Sequence, residues 1–215
     1  MLDYRVDTDQ IQFFLDYLEL DTSQQKAITD ANQSLEKIKN GWNKIEEEIF
    51  SLCELFFKPL KNPLTITVYV FPEYFYLGAS ESSKKIILFG QPPRTALFPQ
   101  AIVLHEISHI LLSRVSFSRP PIVDEIVCCL FEDYIYQTFE SKTFSNIWSG
   151  YSLDNFHQAA HDFMKNNPDI TIKKEEDFHQ LISHITGRLD QNLKNLKAKK
   201  GLLSQLETEI NRKTQ

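Results

Sequence analysis

A chain of 215 residues with 42% hydrophobic and 24% charged content is long enough and apolar enough to bury one sizeable core. Its net charge of -6 argues against nucleic acid and against an anionic membrane surface, both of which call for a basic face. Three cysteines, Cys53, Cys128 and Cys129, make no disulfide framework; with an acidic N-terminus and no run of ~20 apolar residues, they point to a cytoplasmic protein without a membrane segment.

The first sixty residues read as helix. Ile11, Phe13, Phe14, Tyr17, Leu18 and Leu20 form an apolar stripe behind Asp9, a suitable N-cap. A second helix follows Asp21-Thr22-Ser23, with Leu35, Ile38, Trp42, Ile45, Ile49 and Leu52 at three- and four-residue steps, and ends near Lys58-Pro59. The period then changes. Residues 64–71 and 85–89 are β-branched and aromatic and read as strands, joined by a small, polar stretch at 78–83 suited to a connection or an exposed sheet edge. Helical patterns return at 95–115 and 122–139, then around Asp154–Met164, Glu175–Ile185 and Leu189–Arg212. Helices, a short sheet and more helices spell one α+β domain: N-terminal helices over 1–60, a sheet and two central helices over 61–140, and C-terminal helices over 141–215.

The chemistry lies in His105-Glu106-Ile107-Ser108-His109. Residues four apart share a helix face, so both imidazoles can reach one metal at ~2.0–2.1 Å. Glu106 falls beside that metal rather than on it, where a carboxylate can hold a water and take its proton. Around the motif Ile102, Val103 and Leu104 precede and Ile110, Leu111 and Leu112 follow. Three ionisable groups in such a run are expensive to bury unless they share a purpose, and metal coordination is the obvious one.

The segment from Ile102 to Leu111 resembles the extended signature of zincin metallopeptidases. The resemblance covers roughly residues 64–140 and implies one zinc ion per chain, a peptide or protein substrate, and a small antiparallel or mixed sheet packed on the motif helix. It also implies that the sheet's edge strand binds substrate, a role that falls to residues 84–89.

Catalytic zinc keeps three protein ligands and one open position. The metzincin extension would need glycine at 112 and histidine at 115; Leu112 and Val115 stand there. The alternative is the gluzincin pattern, a glutamate on the next helix. Ile122-Val123-Asp124-Glu125-Ile126-Val127 is similar to that ligand helix, which makes Glu125 the third ligand; Asp124, Glu132 and Asp133 are rivals. Thermolysin-like enzymes carry an aspartate four residues beyond the ligand glutamate to orient a zinc-bound histidine. Here that position is Cys129, so the layout is nearer the minigluzincin and aminopeptidase-like branch, and the histidine's partner must come from elsewhere. Gly78-Ala79-Ser80-Glu81-Ser82 faintly echoes the Gly-Ala-Met-Glu-Asn stretch of gluzincin aminopeptidases; an exposed turn is the simpler reading.

A group that stabilises the oxyanion is also expected. Tyr134, Tyr136, Tyr151, His157, His161, His179 and His184 all remain candidates. His157 and His161 share i,i+4 spacing but sit in an ordinary amphipathic pattern. Cys128 and Cys129 lie on an apolar helix and read as packing. Beside the general peptidase stand two other readings, a regulatory metallopeptidase that cuts one partner protein, and a helical interaction module with structural zinc or none.

Overall fold

The chain opens on a strand. In the computed structural model, which describes residues 2–57, 65–75, 79–82, 85–88, 94–115, 119–148, 155–173 and 178–194, β1 (Leu2–Arg5) pairs parallel with β2 (Ile66–Val70), Leu2 against Ile66 and Arg5 against Tyr69. This corrects the all-helical reading of the first sixty residues. Leu2, Tyr4 and Val6 alternate onto the core while Asp3 and Arg5 form an exposed ion pair at 2.7 Å. That period of two was present, but four residues are too few to specify a strand without the partner that β2 supplies.

Helix α1 (Thr8–Tyr17) is capped by Asp7, whose carboxylate accepts the Gln10 N–H at 3.0 Å; Asp9 lies inside the first turn. Helix α2 (Gln24–Phe57) begins after Ser23, whose Oγ accepts the Lys26 N–H at 3.3 Å. Its stripe from Leu35 to Leu52 is buried as the spacing predicts. The expected end at Lys58-Pro59 lies outside the described residues.

In β2 the alternation puts Ile66, Val68 and Val70 inside. β4 (Lys85–Leu88) runs parallel to β2, and β3 (Ala79–Ser82) adds to β4 antiparallel, giving the order β1-β2-β4-β3. Both pairings of the central strand β2 are therefore parallel. Parallel neighbours need a crossover, which α1 and α2 provide between β1 and β2. The order also corrects the placement of the edge: β4 is flanked on both sides, and β3, from the small polar stretch, is the outer strand at that end, as β1 is at the other. A hairpin-like return of 79–82 covers the open side of β4.

Helix α3 (Phe98–Leu112) lies against α2, the sheet and α4 (Pro121–Glu140), and nearly all of it is buried. Where α2 crosses it, a Cβ at Gly41 would stand 1.9 Å from Gln100 Nε2. Only glycine admits that amide, which donates to the Lys37 and Ile38 carbonyls at 3.3 and 3.1 Å. The amide nitrogen of a buried polar side chain is thereby satisfied and registers α3 on α2. α4 ends at Ser141 in the left-handed region, φ 53°.

Short α5 (Phe144–Trp148) and α6 (Asn155–Asn166) follow, the latter packed on α4 through Ala160 and Phe163. α7 runs over 178–194, so the described part of the two helices expected at 175–185 and 189–212 is one continuous helix. The fold is α+β and mostly helical, with a small sheet beside α3. Among the described residues no helix is long and apolar enough to cross a membrane.

Candidate metal centre

On α3, His105 and His109 meet edge-on one turn apart, ring centroids 4.8 Å apart and planes at 67°. Their Nε2 atoms converge to 3.1 Å. Glu125, in the second turn of α4, closes a triangle: Oε1 lies 3.4 Å from His105 Nε2 and Oε2 lies 3.4 Å from His109 Nε2. A tetrahedral ion with bonds of ~2.0–2.1 Å holds its ligand atoms about 3.3 Å apart. Two neutral nitrogens and one carboxylate at this spacing, on two buried helices, are a donor set that fits zinc.

Burial alone would raise the Glu125 carboxyl, but the hydrogen bond from His109 and the charges of His105, His157 and His109 outweigh it and hold the group below its ordinary value. His105 and Glu125 are buried, while the His109 side chain keeps 23% of its exposure. The cluster thus opens on the His109 side.

Two further α4 side chains complete the wall. Cys129, at the position where an aspartate was sought, places Sγ 3.8 Å from Glu125 Oε1. Burial pushes this thiol well above its ordinary pKa, so it is a neutral donor to the carboxylate. The side chain that faces His105 Nδ1 is instead Glu132. It is fully buried, and its Oε1 stands 3.7 Å from His105 Nδ1, the nitrogen turned away from Glu125 and His109. An acceptor there favours the tautomer that carries its proton on Nδ1 and leaves Nε2 bare for a metal. Desolvation pushes Glu132 up to about 8. Its signal was legible, the acid that ends the apolar run from Ile126 to Phe131, two turns beyond Glu125 on the same face.

His157 was the less expected arrival. Although α6 reads as an ordinary amphipathic helix, its first turn delivers His157 Nε2 to 3.3 Å from Glu125 Oε1. The ring lies 4.9 Å from that of His105, planes at 14°, with Trp148 at 5.8 Å. The pattern failed here because α6 buries its apolar stripe on α4, carrying the histidine with it.

The remaining candidates lie elsewhere. His161 rests on Phe144 with ring centroids 5.8 Å apart and places Nδ1 3.9 Å from Asp162 Oδ1. Tyr134 donates to Glu48 on α2. Tyr136 is sealed in the core, and His179 and His184 are exposed on α7. Tyr151 lies outside the described residues, as does the Glu81 side chain. Of the rival acids, Asp124 pairs with Arg119, and Asp133 accepts from Gln137 and from the Phe144 backbone N–H. Cys128 Sγ lies within 4.8 Å of donor atoms of His105 and His109, so this cysteine packs behind the cluster.

Comparison with protein-family models, with curated proteins and with solved structures finds no match. The local architecture therefore carries the case alone. Glu106 is buried beside the two histidines on α3, within electrostatic reach of Cys128. Arg119 ties the two helices together: its Nη2 donates to the Leu112 carbonyl at the end of α3 at 2.7 Å, and its Nε to Asp124 on α4. That clamp fixes how far His109 stands from Glu125.

Proposed function

We propose that the chain is a zinc-dependent peptidase of the zincin type, with a gluzincin-like ligand set. His105, His109 and Glu125 hold the ion, and Glu106 is the general base. The observation that carries this reading is the 3.1–3.4 Å convergence of Nε2, Nε2 and carboxylate oxygens from two buried helices, with a buried glutamate next to the first histidine.

Zinc in such a site supplies Lewis acidity, polarising a carbonyl and making water acidic enough to lose a proton near pH 7. The chain's own residues do the rest. Glu106 takes the proton from the attacking water on its carboxylate as the water oxygen bonds to the scissile carbon. It then gives that proton to the departing amine nitrogen as the C–N bond breaks. Glu132 keeps the His105 ring oriented, and Cys129 orients Glu125. The apolar run around the motif excludes bulk water, which strengthens each of these interactions. An extended peptide adds to the outer side of β3 by main-chain hydrogen bonds.

The test is metal analysis and peptide hydrolysis on the full chain. One zinc per chain is expected, with cleavage of peptides in a broad library lost in Glu106→Gln while the metal is retained. A zinc-loaded chain that cuts nothing in the library, or a Glu106→Gln protein as active as the wild type, overturns the reading.

A further inference from the structure

We infer that His157 is a fourth protein donor to the same ion, so that α6 closes the position that a catalytic zinc keeps open. This rests on the metal reading above and adds to it a means of regulation.

Three observations meet on His157. Its Nε2 stands 3.3 Å from Glu125 Oε1, the same oxygen that lies 3.4 Å from His105 Nε2. Both separations equal the edge of a tetrahedral zinc set, about 3.3 Å. Its ring centroid is 4.9 Å from that of His105, matching the 4.8 Å between His105 and His109. One donor atom from each of His105, Glu125, Cys129 and His157 falls within 4.8 Å of the others, and Cys129 is the neutral thiol that donates to Glu125.

A histidine that served only the substrate would stand differently. To donate to a carbonyl oxygen in the fourth position, its Nε2 would lie about 2.8 Å beyond that position and so outside the ligand shell. His157 Nε2 stands instead at ligand-edge distance from Glu125 Oε1. The placement is built rather than incidental, because Ala160 and Phe163 anchor α6 in the core and Trp148 stands against the His157 ring.

Four protein donors make a closed site of the structural kind, whereas three leave room for water and substrate. With His157 bound the site takes no substrate, so wild-type turnover comes from the fraction of chain in which His157 has withdrawn. The His157 side chain is 22% exposed, on the cluster's open side with His109. It can withdraw by rotation about its own side-chain bonds while α6 stays packed on α4.

The experiment uses the full chain loaded with cobalt in place of zinc, as wild type, His157→Ala, His157→Gln and His161→Ala. The readouts are the visible spectrum on titration with acetohydroxamate, and zinc affinity by chelator competition. The wild type and His161→Ala should hold their spectra against acetohydroxamate. Both His157 variants should take it up with a spectral shift, and lose more zinc affinity than the roughly 10–100-fold that removing an outer-shell partner costs. The similar size of glutamine removes a packing defect as the cause. If wild type and both His157 variants bind acetohydroxamate alike and hold zinc within a few-fold, the fourth donor is overturned and the three-ligand reading stands. A wild-type chain that takes up neither cobalt nor zinc overturns both.

Discussion

The chain carries two histidine pairs at i,i+4 spacing, His105/His109 on α3 and His157/His161 on α6, and they end in different surroundings. On α3 both rings turn the same edge toward one point, and Glu125 meets them there at 3.4 Å. On α6 the pair is split: His157 reaches Glu125 while His161 lies on Phe144. The spacing is identical, so spacing does not make the site. What differs is the neighbour: α4 faces α3 with carboxylates at two levels, Glu125 toward Nε2 and Glu132 toward Nδ1 of His105. On α3 the facing helix presents a carboxylate to each edge of the His105 ring.

The sharpest way to test that contrast is in the rate. Glu106→Gln should lower peptide hydrolysis by about 10²–10⁴-fold, the usual worth of a positioned base, with zinc content unchanged by elemental analysis. His105→Ala should abolish stoichiometric zinc. It also opens a cavity beside Glu132, at a cost of about 2–5 kcal/mol in denaturant unfolding. Retained zinc in that variant would break the comparison, since the α6 pair would then be holding the ion.

Glu132 makes a prediction about pH. Its folded pKa is raised to about 8 from an ordinary 4.5, chiefly by desolvation. Glu125 and Asp133 push it further up, and His157 opposes them. A raised carboxyl means the folded state keeps a proton that the unfolded chain has lost. This stabilisation is complete below about pH 4.5, declines at no more than about 1.4 kcal/mol per unit as pH rises, and levels off above pH 8. In chelator, Glu132→Gln should flatten that slope and be the more stable protein at pH 8. A wild-type slope that survives the substitution would remove Glu132 as its source.

Smaller effects complete the series. Arg119→Ala removes the clamp between Leu112 and Asp124 and should cost about 1–3 kcal/mol in thermal or denaturant unfolding, with weakened zinc binding as α3 and α4 loosen. His161→Ala should change stability by under about 1 kcal/mol and zinc content not at all. Equal zinc loss in His161→Ala and His105→Ala would make the two pairs equivalent and defeat the contrast.

The amino-acid sequence by itself determined the parts governed by local period and local chemistry. The stripe of α2, the alternation of β2, the apolar burial of α3 and the pairing of His105 with His109 all follow from residue type at fixed spacing. The choice of Glu125 came instead from the resemblance to the gluzincin ligand helix, since Asp124 opens the same helix beside it.

Tertiary structure alone decided the rest. β1 exists because β2 offers a partner for four alternating residues. The outer strand is β3 rather than β4 because strand order is a property of the whole sheet. Glu132 faces His105 because the α3–α4 crossing, set by the Arg119 clamp, lays the second turn beyond Glu125 against the far edge of the ring. His157 reaches the cluster because α6 is pulled onto α4 by its own apolar face. Each of these depends on the distance between elements far apart in the chain, and such distances are set by packing, on which a residue's immediate neighbours carry no information.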